Sequence, residues 1–486
     1  MPDERHLRAH GMFTRRQAMI GAASVLAAEI VAFGEVRAAT PDWLSSFRLK
    51  FGGKVIVPGD PSYETARLIN NRVFDHHPSV IAECTGADDV ARALAFAREA
   101  GMPVAIRSGG HSVAGQCSVD NGVLIDLGRL KQISIDRSKG YVTCGAGVRT
   151  YELNDLTAAI GLAVPLGVCG DVGVAGLTLG GGYGWLLGTA GLACDSLVSA
   201  RVVLTDGRIL YVDDQREPDL MWALRGAGAN FGVVTELTFQ ARRIEKVLAG
   251  EIRFPPEQLH ELMELVNERG AVLPDELVVF GGFLAAGEKL APNVSLCWSG
   301  DPKKGADTIR SLFSMLKPNL DNVRITTISE LVGRGEGTDG FSCTRYGFAD
   351  GRLNNAGFRA LIDPQQPAPA GVSYFASLDG MNGAITRREN TNSCAPRIAP
   401  GVGASLLTFW EKSETTHDAI AWTQGAWDKV QPSTSGAYLN MLGEQSGERT
   451  RSAYRESYER LSKLKTRFDP ENVLRSNQNI APAAKA

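Results

Sequence analysis

From about Pro41 onward, apolar positions recur with two different periods, and each switch between them marks an element boundary. Short apolar and β-branched runs predict strands at Ser79–Cys84 (SVIAEC), Pro103–Arg107 (PVAIR), Gly122–Leu127 (GVLIDL), Gln132–Asp136 and Tyr141–Gly147. Asp88–Gly101 instead spaces its apolar residues for one face of a helix, with acids first and a glycine last. Arg149–Gly161 follows the same rule and stops at Gly161. Leu197–Asp213 predicts a hairpin turning at Asp206-Gly207. Pro218–Phe239 reads as a helix, a glycine-rich turn and a strand.

Beyond about Arg243 the texture changes. Lys246–Phe254, Glu276–Leu284 and Asn293–Gly300 predict strands, and Pro255–Gly270 predicts an amphipathic helix. Strand–helix–strand repeats with longer polar loops point to a second α+β unit on an antiparallel sheet. Leu406–Ser413 (LLTFWEKS) adds a strand, and Arg449–Pro482 predicts one helix stopped near Asp469-Pro470, then an Asn-rich tail.

Charge and composition narrow the function classes. The net charge is −3 and basic residues run no further than pairs such as Arg242-Arg243, which excludes nucleic acid as the main partner. No segment approaches the roughly 20 apolar residues of a membrane span. Eight cysteines show no C-x-x-C pair and no zinc-type spacing with histidine, so no metal site is expected. His76-His77 has no third ligand nearby in the sequence. One or two disulfides stay open as a reading if the chain is exported. Export is the reading of the first 39 residues: Arg15-Arg16, an apolar run, then VRA before Ala39 form a twin-arginine signal pattern. Ala18 stands where an aromatic is common and Glu29 interrupts the apolar run, so an uncleaved surface helix is the alternative. The expected location is periplasmic or secreted.

The chemistry concentrates in two glycine-rich stretches, Ala105–Cys117 (AIRSGGHSVAGQC) and Pro165–Gly188 (PLGVCGDVGVAGLTLGGGYGWLLG). Glycine admits close backbone approach or positive φ, and glycine loops present N–H groups to phosphate oxygens. A bulky imidazole, His111, in such a loop is either a turn residue or has a task. Neither stretch is a P-loop, and neither carries a convincing NAD fingerprint.

Together RSGGHSVAG and GVCGDVGVAGLTLGGGYG resemble the berberine bridge enzyme-like FAD-linked oxidases of the vanillyl-alcohol oxidase / p-cresol methylhydroxylase superfamily. The resemblance covers roughly residues 75–245, resumes at GAYLN (436–440) and ends with RFDPENVLRSNQNIAP (467–482). It implies a two-domain α+β fold: an FAD-binding domain over residues 41–245, a substrate domain over 246–445 on an antiparallel sheet, and a return of 446–486 to the first. It implies FAD as cofactor, bonded through its 8α-methyl to His111 and through C6 to Cys169. Imidazole nitrogen and thiolate are the nucleophiles such bonds need. Arg107, Ser108, Gly109, Gly110, Ser112 and Gly115 would hold the pyrophosphate and ribityl region. Gly176, Thr178, Gly181, Gly182 and Gly184 would do similar work in the second stretch. Gly232 and Val233 match the family's adenine-side segment, and Asn477 and Asn479 match a flavin-contacting N-x-N. Turn geometry and packing are the competing reading of these positions. Val172 is small where family oxidases leave room for oxygen.

The same resemblance implies hydride transfer from an alcohol or hemiacetal carbon to flavin N5, with O2 reoxidising the flavin to H2O2. The substrate would be a small molecule: a sugar, an oligosaccharide or a natural-product alcohol. Tyr438 is the base candidate beside Asn440, although Met441 replaces the second tyrosine of the family's Y-x-N-Y. Glu411 is the alternative carboxylate base. Because strand residues alternate, Trp410 and Glu411 face opposite sides and at most one points at the flavin. A flavin dehydrogenase, a ring-forming oxidase and a non-catalytic flavoprotein are the rival readings. Oligomeric state is not legible.

Overall fold

The computed structural model describes residues 42–287, 289–335, 340–364, 366–387, 392–443 and 447–484, so the expected export segment lies outside the described residues. The chain divides into two compact units, Met1–Leu49 and Lys50–Ala486. The described part of the first is the beginning of a helix, Asp42–Lys50.

Within the second unit, four strands lie in the order Lys54–Ile56, Val80–Glu83, Val123–Asp126, Val104–Arg107. The first pair is antiparallel and the other two are parallel. The expected helix, Ala87–Glu99, carries the chain from Val80–Glu83 across to Val104–Arg107, which runs parallel to it with Val123–Asp126 between them. Asp89 fixes the start of that helix by accepting from Gly52 N (2.8 Å) and Thr85 N (3.0 Å). The first glycine-rich loop begins where Val104–Arg107 ends. The carboxyl ends of parallel strands are where open α/β sheets receive ligands.

A second sheet is antiparallel throughout, in the order Ile133–Asp136, Tyr141–Gly145, Val233–Gln240, Leu197–Val203, Ile209–Asp213. Its last two strands form the expected hairpin, and Gly207 takes the positive φ of +89° that the turn requires.

The largest sheet has seven antiparallel strands: Arg324–Thr326, Val247–Arg253, Lys289–Trp298, Leu277–Ala286, Ser373–Met381, Gly401–Trp410 and Phe341–Asp350. Strand alternation gives it two different faces. On one, Phe283, Leu296, Leu378 and Leu406 bury against helix residues such as Met263, Ile309, Phe358 and Trp427. On the other, Val278, Cys297, Tyr346, Phe348 and Met381 pack with Trp185, Leu186 and Tyr438. The second glycine-rich stretch is thereby held against the sheet.

Three local details differ from the sequence reading. The second glycine-rich stretch contains a six-residue helix, Val174–Leu179, burying Val174, Ala175, Thr178 and Leu179. The single C-terminal helix is two, Gly447–Tyr454 and Ser457–Phe468, because Arg455 between them takes φ +49°, a left-handed conformation that no right-handed helix can contain. All eight cysteines are free thiols, so the disulfides left open for an exported chain do not form. No helix among the described residues is long and apolar enough to cross a membrane.

Candidate active site

The two glycine-rich stretches meet backbone to backbone. A Cβ on Gly109 would lie 2.3 Å from Gly173 N, and one on Gly173 would lie 2.4 Å from both Gly109 N and Ser108 Oγ. Other glycines serve the loops themselves. Gly110 (φ +76°) and Gly115 (φ +70°) turn the first, and Gly181 (φ +116°) and Gly182 (φ +83°) turn the second. Gly184 and Gly232 allow close contact, since a Cβ would lie 1.9 Å from Leu166 O in one case and 2.4 Å from Val202 Cγ1 in the other. Gly176 differs: it is exposed, and a Cβ there would meet nothing within 4 Å. Val233 is buried where its strand begins, and Ser112 Oγ accepts from Gln116 N (3.1 Å) inside the loop.

The meeting of the loops brings His111 and Cys169 to one carboxylate. His111 Nε2 lies 3.0 Å from Asp171 Oδ2, and Cys169 Sγ donates to Asp171 Oδ1 at 3.1 Å. Burial, then the hydrogen bond to Asp171 and its charge, push the Cys169 thiol up to about 12. Val172 follows, and its carbonyl accepts from Thr150 N (2.9 Å) and Thr150 Oγ1 (3.1 Å).

A cavity of about 440 Å³ runs past this cluster, lined by Ser108, Gly110, His111 and Asp171 and by the cationic Arg72, Arg107 and Arg149. Three guanidiniums beside glycine-loop amides suit a diphosphate. The Arg107 guanidinium is already engaged: it is ion-paired with Asp126 and also donates to Leu68 O (3.2 Å). Its charge therefore reaches the cavity in part balanced. Arg72 and Arg149 were not singled out in the sequence, where an arginine outside a motif carries no signal.

Several buried polar atoms await a partner that the protein does not supply. Thr178 Oγ1, Asn477 Oδ1 and Asn479 Oδ1 are buried without a hydrogen bond, and so is Gln116 Nε2. Such groups cost free energy unless something pairs with them. Asn477 is held by donating to Ala229 O (2.9 Å) and Leu474 O (3.0 Å), and the tail is tied to the first loop by Ser476 Oγ donating to Gln116 O (3.0 Å). The donor and acceptor groups left over therefore fit a bound FAD.

At the far end of the second stretch lies Tyr438. The segment before it is anchored to the edge strand Phe341–Asp350, with Phe348 N donating to Gly436 O (2.9 Å). The Tyr438 hydroxyl oxygen receives three donors: Gly182 N (2.9 Å), Tyr183 N (3.2 Å) and Asn440 Nδ2 (2.9 Å). Asn440 is itself fixed by donating to Leu177 O (2.8 Å). Three converging N–H groups favour a phenolate, but burial outweighs them and the phenol is pushed up to about 12.

Beside it is a carboxylate that sequence reasoning missed. Asp379 is buried on the strand Ser373–Met381. Its Oδ2 accepts from Tyr183 OH (3.3 Å) and Tyr346 OH (3.4 Å), and its Oδ1 accepts from Ser377 Oγ (3.2 Å). Burial pushes its carboxyl up to about 7, against the pull of those three hydroxyls. The Tyr183 ring sits 4.8 Å from that of Tyr438 and 6.0 Å from that of Tyr346, so the group forms one aromatic-walled site. A lone acid in an otherwise uncharged strand (SYFASLDGM) was the available signal.

Glu411 does not join this site. It is exposed, one residue beyond the end of Gly401–Trp410. Ser405, opposite Tyr346, lies at the level of the site, and six further residues carry Glu411 about 20 Å along the strand. Alternation tells which side a residue faces but not how far along the strand it sits.

The fold and the sites along these two loops are those of an FAD-binding oxidoreductase. Residues 78–213 match the family model of the FAD binding domain, and residues 437–481 match the berberine and berberine-like model. The (R)-6-hydroxynicotine oxidase of Paenarthrobacter nicotinovorans is 31% identical over 458 residues, which span 89% of this chain and 98% of that protein. The chain belongs to the berberine bridge enzyme-like FAD-linked oxidases. An uncharacterized FAD-linked oxidoreductase of Bacillus subtilis, YgaK, is 28% identical and covers 90% of this chain and 99% of its own. Among solved structures, 6-hydroxy-D-nicotine oxidase from Arthrobacter nicotinovorans superposes with a TM-score of 0.80 at 28% identity, covering 90% of this chain and 99% of that one. Glucooligosaccharide oxidase from Acremonium strictum, described with a 6-S-cysteinyl, 8α-N1-histidyl FAD, shares the fold at a TM-score of 0.81 and 21% identity, over 91% of this chain and all of that one.

Proposed function

We propose that this protein is a bicovalent FAD oxidase that takes a hydride from the carbon of an alcohol or hemiacetal in a sugar or natural product. The observation that carries the reading is Asp379, a buried carboxylate poised near neutral pH between Tyr183 and Tyr346 and beside Tyr438. A bound flavin would supply the hydride acceptor, its N5, and the route of the electrons to O2, with H2O2 as product.

His111 and Cys169 would anchor the isoalloxazine. Arg72 and Arg149 with the Ser108–Gly110 amides would hold the diphosphate. Thr178, Asn477 and Asn479 would satisfy their unpaired oxygens on the cofactor. Asp379, half ionised at neutral pH, accepts the substrate hydroxyl proton through the Tyr183 or Tyr346 hydroxyl. Tyr438 holds the Gly182-Tyr183 turn in register with that relay. This assigns to Asp379 the base role that the family motif alone would give to Tyr438. Val172 leaves the approach for O2.

A second reading, oxidation of a hydroxylated nitrogen heterocycle, is supported by the relationship to a hydroxynicotine oxidase over 89% of this chain. Anaerobic mixing with oligosaccharides, aryl alcohols and hydroxylated cyclic amines separates the two by which class bleaches the flavin. Admission of air with peroxide detection then tests the oxidase assignment. Reduced flavin that persists in air and yields only to an artificial acceptor would make the protein a dehydrogenase. Bleaching at an unchanged rate in Asp379→Asn would remove Asp379 from the base role.

The Arg15-Arg16 segment supports export by the twin-arginine route, which carries folded, cofactor-loaded proteins. Replacement of both arginines by lysine should retain the protein in the cytoplasm of its host. An unchanged distribution between cell fractions would end that reading.

A further inference from the structure

We propose that Asp171 is the shared proton acceptor for attaching the flavin to both His111 and Cys169, an inference that rests on the bicovalent reading above. Its two carboxylate oxygens are divided between the two nucleophiles, Oδ2 to His111 Nε2 (3.0 Å) and Oδ1 to Cys169 Sγ (3.1 Å). The arrangement is fixed by its backbone. Arg149 donates to Asp171 O, Tyr151 N donates to Gly170 O (2.8 Å), and Thr150 N donates to Val172 O (2.9 Å). From behind, the Gly333–Gly335 turn presses on the cluster: a Cβ at Gly335 would lie 2.8 Å from Asp171 Oδ1, and one at Gly170 would lie 2.1 Å from Gly333 O. In front, His111 and Asp171 open onto the 440 Å³ cavity.

Each nucleophile needs what this carboxylate provides. A proton on His111 Nε2, directed at Asp171, leaves the lone pair on Nδ1. As Nδ1 bonds to the 8α carbon, positive charge grows on the ring, and the Nε2 proton passes to Asp171. The geometry is that of an acid–histidine pair activating a nucleophile, with the imidazole itself as the nucleophile. Cys169 is not a thiolate in this setting, because burial and the neighbouring carboxylate hold its proton. Its sulfur becomes nucleophilic only as that proton crosses to Oδ1 during attack on C6. Each attachment forms one bond, Nδ1–C8α or Sγ–C6, and breaks one flavin C–H bond and one N–H or S–H bond. The two electrons and two protons released go to dioxygen as H2O2. Asp171 is a positioning and proton-accepting residue, and it returns its proton to the cavity between the two events.

The test follows covalent incorporation, not turnover. The full-length chain is produced under riboflavin limitation and mixed with FAD in air. Flavin retained after acid denaturation is timed by mass, and peptides carrying His111 and Cys169 are mapped separately. Wild-type protein with neither or only one link refutes the bicovalent reading and this inference with it. With both links present, Asp171→Asn is expected to bind FAD but to form both bonds about 100-fold more slowly or worse. Asp171→Glu should stay within about tenfold of wild type, and sodium formate should speed incorporation into Asp171→Ala. Asp171→Asn incorporating at the wild-type rate overturns the proposal. So do Asn and Glu variants slowed alike with no formate rescue, which would mark a merely structural residue. Should the variants fail to fold, wild-type incorporation in D2O decides: slowing by about twofold or more supports proton transfer in the attachment step, and an unchanged rate overturns it.

Discussion

Gly109 and Gly173, 64 positions apart in the chain, touch through their backbones so closely that neither has room for a methyl group. This contact holds the His111 loop against the Cys169 loop, and it requires glycine at both positions. Gly173→Ala is expected to destabilise the protein by about 1–3 kcal/mol through overpacking and to lower its flavin content. Gly176→Ala is the contrasting case. It sits in a helix facing open space, so alanine should stabilise the flavin-free protein by up to about 1 kcal/mol. Flavin occupancy in that open space would show as weaker FAD retention by Gly176→Ala despite its higher melting temperature. Thermal melting with and without FAD measures both effects.

Asp379 gives the protein a defined pH response. Its carboxyl is raised to about 7 in the folded state from an ordinary value near 4, so the native protein holds a proton there that the unfolded chain releases. Its contribution to stability is fully present below about pH 4 and is lost as pH rises through about 7. The total is on the order of 4 kcal/mol. Asp379→Asn should therefore melt higher than wild type at pH 8–9, with the difference closing toward pH 4. Flavin reduction should show the reverse preference, falling in wild type as pH drops below about 7. Melting curves and anaerobic reduction rates across this range test both halves. A melting difference that does not change with pH would mean that Asp379 does not titrate in this window.

Local features were legible because they are written in local periodicity. The strand Val104–Arg107 and the crossover helix Ala87–Glu99 fall where the apolar spacing puts them. So does the hairpin around Gly207, whose turn needs a positive φ. The site is less legible because its contacts span the chain. Tyr183 and Asp379 are separated by 196 positions and meet only when the seven-stranded sheet covers the glycine-rich stretch. Nothing near Asp379 in the sequence announces those partners. Glu411 shows the opposite case: it follows directly on a strand that borders the site, but its distance from the site depends on register, which the sequence does not carry. Arg107 was legible as a residue of the loop, yet its salt bridge to Asp126 comes from the parallel pairing of their strands.

Tyr438 is expected to matter for catalysis through the turn it holds. Tyr438→Phe removes the acceptor for Gly182 N and Tyr183 N, leaving two buried amides unpaired at a cost of about 1–3 kcal/mol each. Tyr183 then loses its register with Asp379, and flavin reduction should slow by more than about tenfold. Asn440→Ala loses only one of the three donors to Tyr438 and the bond to Leu177 O, so its effect should be smaller in both measurements. Equal reduction rates for Tyr438→Phe and wild type would show that the turn does not position the relay.

The tail that carries Asn477 and Asn479 depends on one buried ion pair. Lys465 Nζ lies 2.7 Å from Asp469 Oδ2, and both side chains are fully buried. The ammonium also donates to Asn230 O (2.8 Å) and Leu474 O (2.9 Å), while the carboxylate accepts from Val473 N and Leu474 N (2.9 Å each). One pair therefore ties the last helix, the turn at Gly228–Asn230 and the start of the tail. Burial pulls the Lys465 ammonium down, and the Asp469 charge and hydrogen bond oppose that pull. Lys465→Met fills the space but leaves Asp469 buried without its counter-charge, and it should cost about 3–5 kcal/mol in urea unfolding. Lys465→Met with Asp469→Asn removes the orphaned charge and should recover part of that loss, because the amide oxygen still accepts from one of the two backbone donors, Val473 N or Leu474 N. The double variant should also bind FAD more weakly than wild type, since Asn477 hangs from Leu474 O and Ala229 O, which flank the tie. Urea midpoints and flavin content measured on the same preparations test the chain of dependence. Unchanged flavin retention in a clearly destabilised variant would show that the tail is held in place by other contacts.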